Sequence, residues 1–283
     1  MLFFSHLMRH NVLTFLFLVS FFTGCEGRKV EPPPGRAAPR SSATDGGVAV
    51  GGKPGRVVFP GRVSPAVRTL ARLDAAVPAE TRRRQLARLP ETLSAAEVAA
   101  LTNLLAAAEG RIGGVTPGEA LALKNDVMNA LLLRAGGIPG LAPFFAAQAL
   151  DTANGRGWRD YAVQALPELH ARAPSGEERR AVEETFRAIF AEPRLRPFRG
   201  TALNGLAAAE RAGDPIPDLP LRDAALAVLR DPRPDNAALL TAIALCRKNG
   251  WEEAAPEISR LARTAADPVV RRCGEAAGKG AAR

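Results

Sequence analysis

From Ser64 onward, apolar residues return every three or four positions in segments of about 12 to 18 residues, separated by short Pro/Gly breaks. That period places them on one face of a helix, so the pattern predicts an all-α region over residues 64–283. The segment starts agree. Ser64-Pro65, Thr116-Pro117 and Asp267-Pro268 each set an oxygen-bearing cap before a proline, whose missing N–H is not needed in a first turn. Ser94 with Glu97, Thr116 with Glu119 and Ser175 with Glu178 fit reciprocal capping boxes. No segment reads as a strand; Val57-Val58-Phe59 comes nearest, and Pro60 ends it.

The helical segments also repeat. One pattern occurs five times: apolar, usually basic, two free positions, small or apolar, two free positions, small, then usually leucine. The copies are Leu123-Lys124 with Val127, Ala130 and Leu131; Trp158-Arg159 with Ala162, Ala165 and Leu166; Phe198-Arg199 with Ala202, Gly205 and Leu206; Ala238-Leu239 with Ala242, Leu245 and Cys246; and Val270-Arg271 with Gly274, Ala277 and Gly278. They stand 35, 40, 40 and 32 residues apart. Each copy forms a narrow helical stripe whose small residues admit a neighbouring helix. One further helix lies between copies, so each pair must stack on the next to bury its faces.

This pattern resembles HEAT-like repeats, whose second helix typically reads Val-Arg-x-x-Ala-x-x-Ala-Leu after an Asp-Pro turn. Asp267-Pro268-Val269-Val270-Arg271 is the closest local match, and Trp158 to Leu166 follows it. The resemblance covers residues 117–283 and implies an α/α superhelix. It also implies that Lys124, Arg159, Arg199 and Arg271 form a basic ladder, tying neighbouring repeats or lining an edge for an acidic partner. Lys124 stands where the family has arginine and offers a point charge without the guanidinium fork. Residues 64–110 match poorly, through Val67-Arg68 and Ala71 alone, and are expected to be an atypical cap or a separate hairpin.

Upstream the pattern changes. A weakly basic start ending in Arg9-His10, an apolar run from Val12 to Phe22 and then Thr23-Gly24-Cys25 follow the grammar of an export signal, with Met1 or Met8 as its start. The run is about half the ~20 residues a membrane-spanning helix needs. Phe22-Thr23-Gly24-Cys25 resembles the bacterial lipobox, with Phe22 in place of the usual leucine, which implies acylation of Cys25 and cleavage before it. Residues 26–63 are dense in Pro, Gly, Ser and Arg without a sustained apolar period, and read as a disordered tether.

Composition sharpens this picture at one point. The net charge of +9 suggests nucleic acid, yet residues 26–90 carry thirteen Lys/Arg against five Asp/Glu, and residues 91–283 carry 24 of each. A basic N-terminal third beside a balanced repeat region argues against a nucleic-acid partner and suits an anionic membrane or wall.

Chemistry is sparse. His170 is the only histidine past the signal and is expected at a helix end on the surface. Cys246 and Cys273 fall out of register with each other and are expected as buried free thiols. Gly47 to Lys53 imitates a phosphate-binding loop, but Pro54 replaces the hydroxyl that would hold magnesium. The doublets Glu177-Glu178, Glu183-Glu184 and Glu252-Glu253 are expected in or near first helical turns, serving the helix dipole and local ion pairs. No catalytic, metal-binding or cofactor-binding constellation stands out. The expected role is an envelope lipoprotein whose repeats bind another envelope protein. The alternatives are a structural spacer held by its tether, or an enzyme related to helical-repeat lyases or glycosylases.

Overall fold

A computed structural model describes residues 63–135 and 137–280. The export signal, Cys25, the phosphate-loop imitation and all of the tether but Val63 lie outside the described residues.

Those residues form twelve α-helices, and no strand occurs among them. In chain order they are α1 (Pro65–Leu70), α2 (Ala79–Leu86), α3 (Ala95–Ala106), α4 (Pro117–Ala135), α5 (Leu141–Leu150), α6 (Arg156–Arg172), α7 (Gly176–Ala191), α8 (Arg199–Arg211), α9 (Leu221–Arg230), α10 (Asn236–Asn249), α11 (Ala255–Thr264) and α12 (Pro268–Gly280). Among the described residues, no helix is long and apolar enough to cross a membrane.

The caps follow from the residues that announce them. Ser94 and Glu97 close a full capping box on α3, and Thr116 and Glu119 do the same on α4. Ser175 caps α7 through the Glu178 N–H, but the Glu178 carboxylate turns away and accepts from the Gly140 N–H at 3.0 Å, at the start of α5. Asp267 accepts from the N–H groups of Val269 and Val270 at the head of α12.

The helices pack as six consecutive pairs, α1 with α2 through to α11 with α12. The second helices also lie side by side in sequence order: α2 against α4, α4 against α6, α6 against α8, α8 against α10, and α10 against α12. First helices meet likewise at α1 with α3, α5 with α7, and α9 with α11. The pattern holds because each helix buries a stripe. In α9, Leu221, Ala224, Ala225, Val228 and Leu229 recur at three- and four-residue spacing and are buried together. Fully burying a residue such as Phe186 or Leu229 contributes about 1.5–3 kcal/mol.

Small residues decide how closely the second helices approach. A Cβ on Gly200 of α8 would meet the Ala238 Cα of α10 at 3.2 Å, and one on Gly205 would meet Pro167 of α6 and Phe186 of α7 at 3.0 Å. Those contacts are tighter than ordinary van der Waals separation, so a Cβ at either place needs its neighbour to give by a few tenths of an ångström.

Residues 64–110 contain α1, α2 and α3. They hold the first pair, and α2 takes its place at the end of the row of second helices. The Val67-Arg68 match falls on α1, a first helix.

Candidate functional site

Three of the predicted ladder residues, Arg159, Arg199 and Arg271, share one environment: each donates to carbonyls at the C-terminal end of the first helix in its own pair, and Lys124 stands apart. The Arg159 Nε donates to the Ala149 carbonyl at 2.9 Å, in the last turn of α5. Arg199 donates from Nε to Ile189 O at 3.1 Å and from Nη2 to Phe190 O, in the last turn of α7. The Arg271 Nη1 donates to Ala265 O at 2.9 Å, just past α11. Lys124 lies 3.8 Å from the Glu109 carboxylate, after α3. A helix ends with carbonyls that have no partner in the helix, and a cation answers both those acceptors and the negative pole of the dipole.

The charged heads then touch the next pair. Lys124 Nζ sits 4.9 Å from the centre of the Trp158 ring, and the Arg159 guanidinium 4.6 Å from that of Phe198. Such cation–π contacts contribute about 0.5–2 kcal/mol each. Arg199 Nη1 donates to Asp231 Oδ2 at 2.6 Å, past the end of α9. Burial works to raise the Asp231 pKa, but the bonds from Arg233, Arg196 and Arg199 outweigh it and hold the carboxyl below its ordinary range. Lys124 and Arg199 are buried and Arg159 and Arg271 half-buried, so these cations face the protein interior more than solvent.

Two members of this system escaped the sequence pattern. Arg82, fully buried at the fourth position of α2, donates to Leu70 O at 2.6 Å, Gly113 O at 3.0 Å and Val77 O at 3.2 Å. It holds the position Arg159 has in α6 and Arg271 in α12, but Thr81, Gln85 and Arg88 stand where the pattern has apolar and small residues, and that hid it. The copy with Leu239 in the basic place is served from elsewhere: Arg260 of α11 donates to Leu229 O at 2.9 Å. No local signal marks Arg260, since it belongs to a first helix.

Lys124 is the weak member. Its ammonium is fully buried and has no hydrogen-bond acceptor among the described residues. Burial pushes its pKa down, and Glu109 only partly restores it. Lys124→Met keeps the volume and removes the desolvated charge, so full-length protein carrying it should match or exceed wild-type stability by up to about 1 kcal/mol in urea unfolding. A loss of about 3 kcal/mol or more would show instead that the ammonium is a required contact.

His170 corrects an expectation. It is not at the surface but fully buried in the last turns of α6, with Nδ1 2.9 Å from Asp214 Oδ2 and Nε2 3.3 Å from Glu183 Oε1. Arg179 holds the other Asp214 oxygen, and Arg187 the other Glu183 oxygen at 3.2 Å. Hydrogen bonds from Arg179 and His170 overcome the burial of Asp214 and hold its pKa low. The local signal was present: Ala162, Leu166 and His170 stand four residues apart on one buried stripe.

Other candidates resolve simply. Glu177 and Glu178 lie in the first turn of α7 and Glu253 pairs with Arg222, but Glu183 and Glu184 lie in the middle of α7, against expectation. Cys246 is a buried free thiol whose pKa burial pushes up to about 11, while Cys273 is free but only half-buried, against expectation. Among the described residues, no group of three or more His, Cys, Asp or Glu could hold a metal ion.

Three of the second helices expose a carboxamide side chain. Five residues after their ladder cations, Asn129, Gln164 and Asn204 occupy equivalent exposed positions on α4, α6 and α8. Asn204 also lines a shallow groove of about 370 Å³ that crosses α6, α8 and α10, together with Arg156, Asp160, Thr201 and Thr241.

No family model, curated protein or solved structure matches the chain.

Proposed function

We propose that the chain is an exported lipoprotein, anchored through Cys25, whose stacked helix pairs form a HEAT-like α/α superhelix that binds another envelope protein. The observation that carries the reading is the row of exposed carboxamides, Asn129, Gln164 and Asn204, on neighbouring second helices. A carboxamide both donates and accepts, so it complements the peptide unit of any sequence. Packed helices stand 8–10 Å apart and an extended chain advances about 3.3 Å per residue, so each helix meets the partner about once in three residues. Asn129 and Asn204 make no side-chain hydrogen bond among the described residues, and Gln164 donates only to Asp160, keeping its carbonyl free.

The test has two arms in a Gram-negative host. The mature protein should carry an acyl mass and fractionate with membrane, and Cys25→Ala should lose both. A photo-crosslinking residue in place of Asn204 or Gln164 should give a discrete adduct with an envelope protein, while one in place of exposed Glu184 on α7 should not. An unmodified, soluble wild type would reject the anchor; equal labelling at 184 and 204 would reject the binding face.

A further inference from the structure

Three ladder heads cross the seam to the following helix pair: Lys124 to Trp158, Arg159 to Phe198 and Arg199 to Asp231. At the seam between the fifth and sixth pairs the equivalent residue is Leu239, which carries no charge and is too short to cross. An open pocket of about 610 Å³ lies there instead, between the end of α9, the first turn of α10 and one face of α11. That volume is within the roughly 300–1,000 Å³ of small-ligand sites. Leu239 lines it beside Arg230 and Asp231, at the helix end that a ladder cation would reach, so the space is the one the missing side chain leaves.

The charges around this pocket do not cancel. Asp231 is committed, accepting from Arg196 at 2.9 Å, from Arg199 at 2.6 Å and from the Arg233 N–H at 2.8 Å. Glu257 accepts from Arg260 Nε at 2.8 Å, and its other oxygen stands 3.8 Å from Arg230 Nε. Four guanidiniums, those of Arg196, Arg199, Arg230 and Arg260, therefore meet two carboxylates, a surplus of two positive charges. The surplus has donors to spare. Among the described residues the Arg230 guanidinium makes no hydrogen bond, and Arg260 uses Nε on Glu257 and Nη2 on Leu229 O, which leaves its Nη1.

We propose that this pocket is a binding site for a carboxylate-bearing ligand, held by the guanidiniums of Arg230 and Arg260. A guanidinium presents parallel N–H groups that match the two oxygens of a carboxylate. The competing effect is Glu257, a like charge in the same wall. Its oxygens already face Arg260 and Arg230, and it opposes a more highly charged phosphate more than a singly charged carboxylate. The two guanidiniums are 56% and 45% exposed and partly screened by solvent, so a single carboxylate binds with a dissociation constant on the order of 1 mM. The pocket shares no residue with the carboxamide row, and the proposal stands or falls apart from that row.

Nuclear magnetic resonance titration of the full-length protein at constant ionic strength tests this with two probes. One is acetyl-glutamyl amide, whose only charge is its side-chain carboxylate; the other is propionate, the same carboxylate without a peptide. Both should shift the amide signals of Arg230, Asp231 and Asn236. Tighter binding of the peptide probe would identify a protein's acidic side chain as the source of the carboxylate, and equal binding a free acid. Arg230→Gln should weaken binding about tenfold. Thr264→Trp, which closes the pocket without changing its charge, should remove most of it. Arg263→Gln removes an equal charge outside the pocket and should leave binding unchanged. All three residues are exposed on helix surfaces, so the variants keep the fold. No shift at the named amides, equal effects of Arg230→Gln and Arg263→Gln, wild-type binding by Thr264→Trp, or inorganic phosphate binding more tightly than propionate would each overturn the proposal.

Discussion

Arg199→Ala should cost the full-length protein about 3–5 kcal/mol, the range found when one partner of a buried ion pair is removed. The arginine is 8% exposed, and its donors satisfy Ile189 O, Phe190 O and Asp231 Oδ2 together. Alanine leaves the end of α7 uncapped and Asp231 with Arg196 as its remaining guanidinium partner. The reverse change, Asp231→Ala, should cost less, since Arg199 keeps both carbonyls. The double variant should then be no worse than Arg199→Ala alone, and a sum of the two single losses would mean that the pair is not coupled. The pH dependence has a definite sign. The folded pKa of Asp231 is depressed, so its contribution is present above the unfolded carboxyl range of about 3.9 and is lost as pH falls through the folded value. Asp231→Asn should flatten that acid limb in urea unfolding curves.

Trp158→Ala should be comparably severe, at about 3–5 kcal/mol. The ring is fully buried at the head of α6, 6.2 Å from Phe145 centre to centre, and its Nε1 donates to Gln148 at 2.9 Å. It also forms the floor beneath the buried Lys124 ammonium. Alanine opens a cavity between α5 and α6 and strips Lys124 of the one contact besides Glu109 that offsets its desolvation. Adding Lys124→Met to Trp158→Ala should therefore recover part of the loss, by about 1 kcal/mol. Thermal unfolding followed by far-ultraviolet circular dichroism measures both. A double variant no more stable than Trp158→Ala would show that the ring and the lysine act separately.

The ladder teaches how much of such a site sequence carries. Lys124, Arg159, Arg199 and Arg271 were legible because each sits inside a repeated local pattern. Arg82 does the same work in α2 but lacks the apolar and small neighbours that make the pattern visible. Arg260 replaces the cation missing at Leu239 from a different helix, and nothing local distinguishes it from the exposed Arg263 three residues later. His170 was misjudged for the opposite reason: its partners Glu183 and Asp214 lie 13 and 44 residues away, and without them a buried histidine looks too costly.

The sequence by itself determined the helices, most of their caps and the recurrence of pairs. Those features depend on hydrogen bonds and side-chain spacing within about four residues, a range that sequence displays directly. Only the tertiary structure decided which charges are buried, which helix supplies a missing cation, and which carboxylates meet the buried His170. Burial and ion pairing depend on what arrives from another helix, and a group's surroundings, rather than its type, set the cost of its charge.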